Sequence, residues 1–126
     1  MKKKIELEYS VPSSPKVLFK RLSTVDGLAE WFADKVDSKD DIYTFAWEGE
    51  EQQARLMEMI KDESVSFQWI EDEGEEYYFK FCMEIDPMTN EVALIITDYV
   101  DEDDEDDSIE LWDKQIDELL KTLGLS

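Results

Sequence analysis

Ser108-Ile-Glu-Leu-Trp-Asp-Lys-Gln-Ile-Asp-Glu-Leu-Leu-Lys-Thr-Leu123 is the stretch that decides the fold. Ile109, Trp112, Ile116, Leu119, Leu120 and Leu123 recur at three- and four-residue steps, which puts an apolar stripe along one side of a helix. Asp107 and Glu110 stand at capping-box spacing, so the helix is expected to begin near Asp107 or Ser108. Gly124 stands where a C′ residue belongs. At about 1.5 Å per residue, such a helix runs roughly 24 Å. A lone long helix behind a strand-rich middle needs a concave sheet to receive its stripe, and a concave sheet is a cradle.

The strands upstream are legible from alternation. Ile5, Leu7, Tyr9 and Val11 share one face of an opening strand, against Lys4, Glu6, Glu8 and Ser10. Ser14-Pro15 reads as an N-cap with proline at the first helical position, and Val17, Leu18, Phe19 and Leu22 form the buried side of a short helix. Ser23-Thr24 ends it, and Leu28, Trp31 and Phe32 mark a second short helix. A short strand is placed around Lys35–Asp37. Tyr43, Phe45 and Trp47 alternate next, as do Val65, Phe67 and Trp69, and then Tyr77, Phe79, Phe81, Met83 and Ile85. Glu51 to Lys61 also suits a helix, but its strand neighbours and the turn chemistry after it favour a strand. Val92 to Tyr99 is apolar on both faces for much of its length, as a central strand is. The expected architecture is α+β: a curved antiparallel sheet of about seven strands around a long C-terminal helix, in a single domain over residues 1–126.

This order resembles the START-like helix-grip superfamily (SRPBCC), which includes the birch-pollen-allergen fold. The local match is closest to the branch of homologues of a heat-shock-protein ATPase activator. Leu28-Ala29-Glu30-Trp31-Phe32 resembles that branch's second helix, and Val65-Ser66-Phe67-Gln68-Trp69 is similar to its central strand. Trp112 with Leu119-Leu120 and Leu123-Gly124 is similar to its closing helix. The resemblance implies a pocket between sheet and helix of a kind that often binds lipids, sterols or aromatic molecules, and the expected function is a non-enzymatic domain that binds a small hydrophobic molecule there. The acidic run before the last helix is denser than the family pattern.

Composition narrows the classes. The formal charge is −21, from 34 acidic and 13 basic residues, which disfavours nucleic acid and anionic membranes as partners. No apolar run approaches the roughly 18 residues of a membrane span. Met1-Lys2-Lys3-Lys4 looks like a signal n-region, but no apolar h-region follows it. A single Cys82 forms no internal disulfide and fits a reducing compartment, so a cytoplasmic protein is expected. With no histidine, Ser-His-Asp and Cys-His catalysis are excluded within the chain and zinc binding is disfavoured. No catalytic residue, metal or cofactor is expected, and no phosphate-binding glycine loop occurs.

The candidate cavity-lining residues are Trp31, Phe32, Tyr43, Phe45, Trp47, Phe67, Trp69, Phe79, Phe81, Trp112 and Ile116. These residues either line a pocket or fill the space as solid core, at about 1.5–3 kcal/mol for each fully buried side chain. In the second case the chain is an acidic interaction module, co-chaperone-like or regulatory, that docks a basic protein partner. An enzyme on a hydrophobic substrate is a third reading and would rest on Asp, Glu or Tyr. Asp98, on the face of Val92, Leu94 and Ile96, is the one carboxylate predicted at a buried strand position. Asp101 to Asp107 is seven acidic residues in a row without EF-hand spacing, and reads as a solvated loop. Glu71-Asp72-Glu73-Gly74-Glu75-Glu76 reads as a hairpin loop. Cys82 has only Lys80 nearby in sequence and reads as structural. Oligomeric state is not legible.

Overall fold

A computed structural model describes residues 2–124. Seven strands form one antiparallel sheet: β1 (Lys2–Val11), β2 (Lys35–Lys39), β3 (Ile42–Trp47), β4 (Glu50–Ile60), β5 (Ser64–Trp69), β6 (Phe79–Ile85) and β7 (Val92–Asp101). Their order is β1-β7-β6-β5-β4-β3-β2. Helices α1 (Pro15–Ser23) and α2 (Val25–Trp31) carry the chain from one edge strand to the other, and α3 (Glu105–Thr122) closes it. This is the helix-grip α+β arrangement expected from the order of elements. No described helix is long and apolar enough to cross a membrane.

Local chemistry sets these elements. Ser14 Oγ accepts from the Val17 N–H at 3.2 Å and Pro15 opens α1, as expected. Thr24 then serves both helices. Its Oγ1 accepts from Gly27 N at 2.9 Å to cap α2, while its own N–H reaches Lys20 O at the end of α1. The helices touch at Gly27, where an added Cβ would stand 2.1 Å from Lys20 O. Val17 departs from expectation: it is 43% exposed, because Leu18, Phe19 and Leu22 occupy the buried side.

The segment from Glu50 to Ile60 is a strand paired on both sides, with its register to β5 shifting between Leu56 and Glu58. That irregularity interrupts the two-residue period, which is why the stretch also suits a helix. β7 is interior, one strand in from the edge, between β1 and β6.

Two boundaries move. α3 begins at Glu105, after a short 3-10 turn over Glu102–Asp104, so Asp107 and Glu110 form no capping box. Glu105, Asp106 and Asp107 fill the first turn, where carboxylates face the positive end of the helix dipole, and Lys3 Nζ holds Glu105 at 2.9 Å. Much of the acidic run is therefore helical. β6 begins at Phe79, with Tyr77 and Tyr78 outside the ladder. Gln68 Nε2 donates to Glu75 O and Tyr77 O, both at 2.9 Å, and engages carbonyls in the connection. The expected hairpin loop is thus the middle of a longer connection that opens with a 3-10 turn at Ile70–Asp72.

Candidate functional site: an aromatic groove at the end of the cradle

Phe32 sits at the C-terminal end of α2, where that helix, β3 and α3 converge. Its ring centroid lies 5.1 Å from Phe45, 5.4 Å from Trp31, 5.5 Å from Trp47 and 5.9 Å from both Phe81 and Trp112. Its carbonyl oxygen accepts from Trp47 Nε1 at 2.7 Å and from Gln115 Nε2 at 3.1 Å. One residue thus joins the helix end to the sheet and to α3.

Around that junction lies a groove of about 880 Å³, walled by Trp31, Phe32, Trp47, Trp69 and Trp112. Trp47 and Trp69 pack edge to face along its wall with centroids 6.2 Å apart. Three of the indoles use their N–H groups within the protein: Trp31 on Arg21 O, Trp47 on Phe32 O and Trp112 on Asp98 Oδ2, at 2.7, 2.7 and 3.0 Å. What those rings offer a ligand is therefore π surface. The rim is held by a two-residue turn, Glu48–Gly49, with both φ angles positive. The Glu48 N–H from that turn donates to Asp34 Oδ2 at 2.9 Å.

Asp98 also lines the groove. Its Oδ1 accepts from the Tyr99 N–H at 2.8 Å and its Oδ2 from Trp112. Burial pushes its carboxyl above the usual aspartate value, and the two hydrogen bonds and the nearby Lys2 partly offset this. A second, smaller cavity of about 260 Å³ shares Trp69, Asp98 and Ser108 with the first and continues past Tyr77 and Tyr99.

Of the eleven sequence candidates, Trp31, Phe32, Trp47, Trp69 and Trp112 come together on the groove. Tyr43, Phe45, Phe67, Phe79, Phe81 and Ile116 do not line it; all six are buried in the core beneath. Alternation assigns a side chain to a face but not to a depth along the cradle. Gln52, Ser108, Leu111, Gln115 and Glu118 line the groove without having been singled out. Four of them follow one another at three- and four-residue steps beside the Trp112 stripe, a helical signal that was present in the sequence. Cys82 lies outside this set, and burial pushes its thiol above the usual cysteine value. Although the chain has 34 acidic residues, no three potential ligands gather into a metal-holding group among the described residues.

No curated protein matches the chain. Among solved structures, a Bacteroides fragilis protein determined by solution NMR is 40% identical, over 97% of this chain and 91% of that one, with a TM-score of 0.69. The Aha1 dimer of Colwellia psychrerythraea is 18% identical, over 76% of this chain and 75% of that one, with a TM-score of 0.65. A Mesorhizobium loti protein is 12% identical over 97% of both chains, with a TM-score of 0.78. The two distant likenesses concern the fold. Residues 1–125 match the START-like superfamily domain, and the chain belongs to that superfamily.

Proposed function

We propose that the chain binds a small hydrophobic molecule, without transforming it, in the groove between the sheet and the C-terminal helix. The supporting observation is the groove itself: about 880 Å³, walled by four tryptophans and Phe32. Ligand sites typically occupy about 300–1,000 Å³ and combine apolar walls with few polar groups. The core below is filled by residues such as Phe45, Phe67 and Phe81, so the binding space lies at the end of the cradle rather than through its centre.

Native mass spectrometry of the purified protein, followed by melting curves with a panel of lipids and aromatic compounds, tests this reading. A co-purifying molecule, or a melting temperature that rises with ligand concentration, supports it. A clean apo mass with melting curves indifferent to the whole panel refutes it.

A further inference from the structure

The charges around the groove distinguish one class of apolar ligand from another. Fifteen residues line it, of which four are acidic (Glu30, Asp34, Asp98 and Glu118) and none is basic. Two of the acids already have cationic partners. Glu30 pairs with Arg21 at 2.7 Å and Glu118 with Lys121 at 3.2 Å, while Asp34 accepts the Glu48 N–H. Asp98, like Asp34, forms no ion pair with a Lys or Arg among the described residues, and of the two it is the one bonded to a wall indole, accepting from Trp112 Nε1 and the Tyr99 N–H. Lys2, the cation closest in influence, is held 3.5 Å from Asp72. A carboxylate that lines the groove with Trp69 and Trp112 and forms no ion pair among the described residues offers a counter-ion and π faces together. Organic ammonium groups bind to that combination, since a cation over an indole gains from the ring quadrupole and more so when desolvated. The same region already shows the preference: Lys2 Nζ stands 5.0 Å from the Tyr77 ring centroid in the adjoining cavity.

We propose that the groove selects an organic cation, an amphiphile whose apolar body lies along the tryptophan wall and whose amine or quaternary ammonium head ends at Asp98. This rests on the hydrophobic-binding reading above and adds the sign of the ligand's charge. An anionic amphiphile of equal length would meet four carboxylates and no base, and a neutral one would leave Asp98 without a counter-ion.

The test is calorimetric titration with decyltrimethylammonium, decanol and decanoate, at about 0.3 M salt to screen attraction to the acidic surface. The expected result is one-to-one binding of the cation, about tenfold tighter than decanol, with decanoate weakest. Asp98→Asn should cut the cation's affinity about tenfold, a larger loss than it causes for decanol. Trp69→Leu, at a half-buried position, should weaken the cation more than decanol and serves if Asp98→Asn fails to fold. Glu84→Gln, on an exposed residue away from the groove, should change nothing. Decanol binding as tightly as the cation, or decanoate more tightly, overturns the cation proposal and leaves hydrophobic binding standing. Equal loss in Glu84→Gln also overturns it, because the attraction would then be general. If none of the three probes binds, the cation proposal falls, and the lipid and aromatic panel decides the hydrophobic reading.

Discussion

The Trp112 indole N–H lies 3.0 Å from Asp98 Oδ2, so the closing helix is anchored to the sheet through a carboxylate that also faces the groove. Trp112→Phe keeps an aromatic ring against Phe32 and Phe81 but removes the donor. The carboxylate then loses one of its two hydrogen bonds in a desolvated place, where an unmet polar group costs about 1–3 kcal/mol. Urea denaturation should show a loss in that range with an unchanged m-value. A loss below a few tenths of a kcal/mol would mean that water replaces the indole freely.

Asp98 also sets a pH dependence whose sign can be worked out. Burial raises its folded-state pKa above the unfolded value of about 3.9, so the folded state binds the proton more tightly. Its contribution to stability is fully present below the unfolded pKa and is lost as pH rises through the folded pKa. Lys2 opposes the shift and Asp72 adds to it. The stability of the native protein minus that of Asp98→Asn should therefore fall as pH rises from below the unfolded value of about 3.9 through the raised folded one, since the many other carboxylates cancel in the difference. A difference that rises with pH would show the carboxylate to be better stabilised in the fold than in water.

The strand faces and the closing helix were legible because burial on one side imposes a period on the chain. Ile5, Val11, Phe45, Phe67 and Phe81 all lie buried on the faces that alternation gave them. Depth was not legible. Phe45 and Trp47 share a face of β3, yet Phe45 is fully buried while Trp47 walls the groove, and only the placement of α2 and α3 decides that. Boundaries failed where a side chain replaced the usual partner: Gln68 bonds the carbonyls of Glu75 and Tyr77, and no pattern in the residues announces it. Asp98 could be suspected as a carboxylate on an apolar strand face, but its bond to Trp112 joins residues on different elements.

Gly27 tests how firmly the helix pair holds the groove. An added methyl would stand 2.1 Å from Lys20 O and 2.7 Å from Arg21 Cα, both backbone atoms that cannot swing aside. Gly27→Ala should therefore push α1 and α2 apart, and overpacking of this kind costs about 1–3 kcal/mol or more. Helix propensity alone would favour alanine by about 1 kcal/mol, so the two effects oppose each other and the contact distance decides the sign. Trp31 and Phe32 end the displaced helix, so tryptophan fluorescence should change along with stability. A stabilised variant with unchanged emission would show that the helices separate at no cost.

The surface charge makes a prediction that involves no single residue. The described residues form five ion pairs, while the chain carries 34 acidic and 13 basic side chains. Most carboxylates therefore have no basic partner. Self-repulsion of this kind opposes the compact state and is screened by salt over roughly 8 Å at physiological strength. Raising sodium chloride from about 10 mM to about 150 mM shortens the screening length from roughly 30 Å to 8 Å. Stability should rise by about 1 kcal/mol, seen as a melting temperature higher by about 4 °C. Ion pairs weaken under the same salt, so a fall in melting temperature would mean that the few pairs contribute more than the many repulsions.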